Sequence, residues 1–235
     1  MAGFGGRRPA WAQPARDRFH GAIAGLGFTS GVRVVIGRWE ESPFGAFSDV
    51  MVQRPGRHGE RVLLAPSVEI ADYVAATYRF DTIRVQPVAV HDSASGWRLS
   101  TPELEVEFEI GARTWVGRAL SGVPRGLLTA PAFSAAVDPV ASLLLPGVRT
   151  AGRAEPTTPA QSDASDSGSA PRSRRWEFYG AVDQRALVNA AGRWEGRELG
   201  RLGVISPPCT FGFSSTPRRP SLTRLVTTVV RREVG

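Results

Sequence analysis

The sequence contains no lysine, and its 29 basic residues are all arginine. That absence excludes a Schiff base on a lysine, a phosphate-loop lysine, and side-chain acetylation or ubiquitination. Arginine cannot substitute in imine formation, because its guanidinium stays protonated at working pH. Cysteine is scarce as well. The single Cys209 cannot form an internal disulfide, and no Cys/His set has the spacing of a structural zinc site. The three histidines, His20, His58 and His91, lie far apart along the chain. Long apolar runs are missing too. The most apolar stretch, Ala132 to Val148, is interrupted by Asp138, Pro139 and Pro146, which makes it a poor membrane span. Residues Met1 to Arg8 carry charge with no apolar segment of signal-peptide length behind them. These absences lead to the expectation of a soluble, cytoplasmic chain with neither metal nor cofactor and no membrane partner.

What is present is ordinary in bulk. The 235 residues, 42% hydrophobic and 22% charged, suit one good-sized domain. The net charge of +7 raises nucleic acid or an anionic surface as partners. The arginines are scattered, however, and no zinc-finger spacing, helix-turn-helix pattern or stacking-aromatic signature accompanies them. A nucleic-acid partner is therefore not expected, whereas a homo-oligomer is allowed.

Residues 1–29, rich in Gly, Ala, Arg and Pro, read as a loose N-terminal arm anchored by Trp11 and Phe19. Strands are expected at Val32–Trp39, Phe47–Gln53 and Arg61–Ala65, from their β-branched content and the Pro55–Gly59 turn between the last two. Ser67 is placed to cap a helix in which Ile70, Tyr73, Val74 and Thr77 share one face. Thr82–Val90 returns to strand. Glu103–Ile110 alternates four carboxylates with four apolar residues, the pattern of a strand with one solvated face. Arg113–Ala119 reads as a further strand, followed by short helices after Pro131 and at Asp138–Pro139. Ala151–Arg175 contains no Val, Ile, Leu, Met or aromatic residue and is expected to be a disordered insert. Strands at Trp176–Ala181, Ala186–Trp194, Thr210–Ser214 and Thr223–Arg231 would return to the same sheet, giving a single domain over residues 30–235.

The usual catalytic motifs are absent: there is no G-x-S-x-G elbow, P-loop, H-E-x-x-H or dinucleotide fingerprint. The informative stretch is Arg38-Trp-Glu-Glu-Ser-Pro-Phe-Gly-Ala-Phe-Ser-Asp-Val-Met-Val52. A strand, then Ser-Pro-x-Gly, then an aromatic residue with an acid two positions on, resembles the acetoacetate decarboxylase superfamily, whose members carry a Ser-Pro-x-Gly-Pro-Tyr-x-Glu type of segment. The likeness continues through Arg61-Val-Leu-Leu-Ala-Pro-Ser67, and Pro9-Ala-Trp11 is similar to the family's Trp-containing start. It spans most of residues 9–230 apart from Ala151–Arg175, and only residues 38–79 are specific.

This resemblance implies an α+β, mostly antiparallel fold: a cone-like β-barrel with a few short helices, enclosing a small-molecule cavity. It places Asp49 where the family has a cavity glutamate, and Phe47 where it has a tyrosine. Strand parity puts Phe47, Asp49 and Met51 on one face, so Phe47, Met51 and the helical Tyr73 are candidate substrate-binding residues. Asp49 is the candidate proton donor or acceptor if burial raises its pKa; the alternative is an exposed strand residue. The family's imine-forming lysine aligns with Arg79. That residue is a candidate clamp for a carboxylate or enolate, or else a helix-end cation opposing the dipole. The leading expectation is a cavity protein for a small carbonyl or carboxylate compound, incapable of lysine Schiff-base decarboxylation, that binds its ligand or acts as a non-imine lyase or isomerase. The alternative is a non-catalytic structural protein with a filled interior.

Overall fold

The computed structural model describes residues 15–56, 59–129, 151–153, 173–212 and 216–233. Within them the chain runs β1 (Ala15–Phe28), β2 (Arg33–Glu41), β3 (Phe47–Gln53), β4 (Arg61–Ala65), α1 (Val68–Ala75), β5 (Thr82–Val85), β6 (Ala89–Asp92), β7 (Gly96–Ser100) and β8 (Leu104–Arg113). It continues α2 (Trp115–Ser121), α3 (Arg125–Leu128), β9 (Ala151–Arg153), β10 (Ser173–Trp194), β11 (Arg197–Glu198), β12 (Leu202–Gly203) and β13 (Ser221–Glu233). The strands form one sheet in the order β5-β4-β3-β2-β1-β13-β10-β8-β7-β6, with β9, β11 and β12 paired off this path. Every pairing is antiparallel except β4 with β5. The fold is thus a mostly antiparallel, strand-rich sheet with a few short helices. No helix among the described residues is long and apolar enough to cross a membrane.

Among the described residues the hydrogen-bonded path is not closed, so the expected barrel is not confirmed. The two edges of the sheet, β5 and β6, are nevertheless consecutive in the chain, joined by Gln86-Pro87-Val88. Val85 and Ala89 are four residues apart, so at most about 14 Å of chain separates the edges. The sheet must therefore curl back toward itself. Proline, which has no N–H to give a ladder, lies in the link that splits the expected Thr82–Val90 strand in two.

The N-terminal arm is corrected. Residues 15–28 are not loose: β1 lies in the middle of the sheet between β2 and β13. Its Gly and Ala content reads as a breaker by propensity but serves close approach. A Cβ on Gly21 would lie 2.1 Å from the carbonyl oxygen of Arg38, and one on Gly27 would lie 2.5 Å from that of Val204. The Arg113–Ala119 region is helix α2 rather than strand, capped by Thr114, whose hydroxyl accepts from the Gly117 N–H at 3.1 Å. At the ends of the expected insert, Ala151–Arg153 and Ser173–Arg175 are paired strand; the rest of it, and the helices expected after Pro131 and at Asp138, lie outside the described residues. The expected strands at Trp176–Ala181 and Ala186–Trp194 are one 22-residue strand with irregular register around Ala181 and Asp183. Thr210–Gly212 is not strand, and β7 had no counterpart in the expectations from sequence.

Alternation along the strands sends side chains into two cores. Val34 and Ile36 of β2, Val50 and Val52 of β3, Val62 and Leu64 of β4, and residues of β7, β8 and β10 make one apolar cluster. Val35 and Trp39, Phe47 and Met51, and Leu63 and Ala65 go to the opposite face. There they meet Ile70, Ala71 and Val74 of α1, with Ile205, Cys209 and Phe211 from the segment before β13. That segment is tied down by Gln53, whose side-chain amide donates to Thr210 Oγ1 at 2.7 Å and accepts from its N–H at 2.9 Å. Arg33, buried, donates to the carbonyl oxygens of Pro207 and Arg54.

Candidate functional site

Between the second face of the sheet and α1 lies a cavity of about 60 Å³. Helix α1 forms as expected, with the Ser67 hydroxyl accepting from the Ile70 N–H. Its inward side presents Ile70, Tyr73 and Val74 to the cavity, and Thr77 and Tyr78 follow from the turn beyond it. Strand β3 contributes Phe47, Asp49 and Met51, while β2 adds Gly37 and Trp39. Glu177 and Tyr179 enter from β10, which reaches this face only because the C-terminal half of the chain folds back beside β1. The aromatic wall is continuous: the Phe44 and Tyr73 rings lie 5.0 Å apart and the Phe19 and Tyr73 rings 5.4 Å apart, centroid to centroid.

Two carboxyls are buried in this apolar setting. Asp49 is 3% exposed and its Oδ1 accepts from Trp39 Nε1 at 2.9 Å. Loss of hydration disfavours its charge and pushes its pKa up to about 6, against the lowering effect of that hydrogen bond. Gly37 makes the bond possible, since a Cβ there would stand 2.4 Å from Asp49 Oδ1 and 2.9 Å from Trp39 Nε1. Glu177 is 6% exposed and its Oε2 accepts from the Tyr78 hydroxyl at 2.9 Å. Burial raises it to about 7, against the lowering effect of the Tyr78 and Tyr179 hydrogen bonds and of the Arg175 charge, with a smaller upward push from Asp49. Tyr78 also shares a very short hydrogen bond with the Tyr179 hydroxyl, and burial beside Glu177 drives its own pKa well above normal. None of the described residues lining the cavity is basic.

Behind Tyr73 stands a second polar layer. The Tyr73 hydroxyl donates to Asp17 Oδ2 at 2.8 Å, and Arg231 pairs with the same carboxylate at 2.9 Å. The Arg175 guanidinium lies 4.9 Å from the Tyr73 ring centroid and donates to the Tyr73 carbonyl oxygen at 3.1 Å.

Four of the five residues singled out from sequence, Asp49, Phe47, Met51 and Tyr73, meet at this cavity. Arg79 does not. Helix α1 ends at Ala75, so Arg79 lies beyond it and is exposed, with its N–H bonded to the Phe211 carbonyl oxygen at 2.6 Å. It does not line the cavity, and it lies beyond the last turn of the helix. Glu177, Tyr78 and Tyr179 were missed. The one available signal was Glu177 alternating with Trp176 and Phe178 in a strand otherwise rich in arginine and aromatics, which does not distinguish a cavity acid from a solvated one. Among the described residues no cluster of three or more His, Cys, Asp or Glu is arranged to hold a metal ion.

The arrangement defines a class of site: a small aromatic-walled cavity under a helix on an antiparallel sheet, carrying an acidic pair and, among the described residues, no base. No protein-family model matches the sequence, and no curated protein matches it. Among solved structures, the crystal structure of acetoacetate decarboxylase from Legionella pneumophila subsp. pneumophila str. Philadelphia 1 is similar, with a TM-score of 0.43 and 10% identity over 99% of this chain and 93% of that one.

Proposed function

We propose that this chain is a divergent acetoacetate decarboxylase-like protein that binds a small organic molecule under α1, with Asp49 and Glu177 as its proton-handling groups and no imine step. The observation that carries the reading is the convergence of these two buried carboxyls, from strands far apart in sequence, on one aromatic-walled cavity. Their raised pKa values support proton donation or acceptance near neutral pH. The Ser42-Pro43-Phe44-Gly45 motif and the Asp49 position support the family reading. The chain has no lysine to form a Schiff base.

The ligand class narrows from the sequence expectation. A carboxylate finds no basic partner among the described lining residues and would face two acids, so the anionic part of that expectation is dropped. Size narrows it further. The 60 Å³ cavity is far below the roughly 300 Å³ at which pockets for drug-sized ligands begin, which restricts the ligand to a few non-hydrogen atoms. The same small volume favours the second reading, an interaction protein with a filled interior. Thermal-shift and NMR titrations with small neutral, cationic and anionic compounds separate the two. Saturable binding lost in Asp49→Asn supports the first, and silence from every class supports the second.

A further inference from the structure

We infer that the ligand of this cavity is a small organic cation, an alkylated ammonium head group, held beside the aromatic side chains of Phe19, Trp39, Phe44 and Tyr73 and neutralised by Asp49 and Glu177. This inference rests on the cavity being a ligand site, as proposed above, and deepens it. Three observations converge. Among the described residues, the titratable side chains that line the cavity are two carboxyls, Asp49 and Glu177, and three tyrosines, Tyr73, Tyr78 and Tyr179; none is basic. Aromatic rings make up much of the rest, and their negative faces attract an ammonium that has shed its water. Buried carboxylates left without a counter-ion are costly, whereas one cation between them offsets the desolvation of both.

The wall already binds a cation from outside, because the Arg175 guanidinium stacks on the Tyr73 ring at 4.9 Å. A neutral carbonyl brings no charge to offset ionisation of the acids beyond the hydrogen bonds they already accept, and an anion would be repelled. The groups facing the acidic pair are Tyr78, beyond α1, and Tyr179 of β10, both with hydroxyls toward Glu177. Tyr73 of α1 is turned to Asp17 of β1, and behind it Arg231 of β13 and Arg175 of β10 complete the charged groups. Occupancy by a cation therefore requires the pair to ionise, with protons released on binding in the range where Asp49 (about 6) and Glu177 (about 7) titrate.

The test titrates the full chain with tetramethylammonium chloride, whose charge does not vary with pH. Comparison titrations use tert-butanol as a neutral molecule of the same non-hydrogen atom count, acetone as a carbonyl and sodium acetate as an anion, all at constant ionic strength. Tetramethylammonium is expected to bind saturably, with affinity rising about tenfold or more from about pH 5 to about pH 8. Asp49→Asn and Glu177→Gln are each expected to weaken it about tenfold. Equal binding of tert-butanol, or affinity for tetramethylammonium that is flat with pH, overturns the inference. Binding of acetone with no response to tetramethylammonium overturns it while leaving the cavity a ligand site. Silence from all four compounds overturns both. Should either variant fail to fold, the pH series on the unaltered chain decides.

Discussion

Strand β3 supplies both faces of the sheet, and the two faces have been put to different uses. Val50 and Val52 point into a sealed cluster of Val, Ile, Leu, Phe and Trp side chains, most of them nearly inaccessible. Phe47, Asp49 and Met51, one residue out of phase, line a cavity that contains two carboxyls. The first face stabilises by burial alone; the second gives up part of that stability to keep charge-bearing groups dry. A second contrast lies in the carboxyls themselves. Burial pushes Asp49 and Glu177 up, whereas Glu60, Asp81 and Glu195, at the sheet rim beside Arg54, Arg61 and Arg84, are held below the usual range by hydrogen bonds and ion pairs. What decides the direction is whether a cation or water is at hand.

The largest effect should come from the sealed face. Leu64, fully buried, should cost about 2–5 kcal/mol on substitution by alanine, read by chemical denaturation. Phe44→Ala at the edge of the cavity should cost less despite removing more atoms, because the ring is only partly buried. Equal losses would break the contrast between faces.

Next are the acids. Both folded-state pKa values exceed the unfolded ones, so the folded chain holds more protons between about pH 4 and about pH 7. Each group's stability contribution is complete below its unfolded pKa and is lost as pH rises through the folded one. Glu177→Gln, which can still accept from Tyr78, should therefore raise stability by about 2–3 kcal/mol at about pH 8 and by almost nothing at about pH 4. Asp49→Asn should behave alike. A gain that does not vary with pH would show that the folded-state pKa values of these groups are not raised.

Gly37→Ala should cost about 1–3 kcal/mol, because its methyl would displace Asp49 Oδ1 or the Trp39 indole. It should also change tryptophan fluorescence and weaken any ligand that needs Asp49. The smallest effect belongs to the rim. Glu195→Gln, which loses ion pairs to Arg54 at 2.8 Å and Arg84 at 3.1 Å, should cost less than about 1 kcal/mol, and less again in high salt. Its sign with pH is opposite to that of the cavity acids, since Glu195 with its lowered pKa contributes above its unfolded pKa and loses that contribution as pH falls.

Several parts of this architecture were legible in the residues. The β-branched runs at β2 to β4, the Ser67 cap and the alternation of β8 each follow a local rule, and the structure obeys it. The parity of Phe47, Asp49 and Met51 was legible for the same reason. Strand β1 was not: its glycines and alanines are selected by the backbones that pass against them, and those neighbours come from elsewhere in the chain. The Arg113–Ala119 segment was misread because β-branched and aromatic residues outweighed a Thr cap three residues ahead of Gly117. Arg79 was placed by continuing a helix that ends at Ala75.

The sequence by itself determined that no lysine chemistry is available, that the chain is rich in strands, and that Asp49 shares a strand face with aromatic and apolar neighbours. These follow from composition and from a period-2 repeat, both of which are local. Only the tertiary structure decided that this face lies under α1, that Glu177 joins Asp49 from about 130 positions along the chain, that Arg79 stays outside, and that the sheet edges are not paired with each other among the described residues. Each of these depends on which strands become neighbours, and that is set by the packing of the whole sheet, which no window along the chain contains.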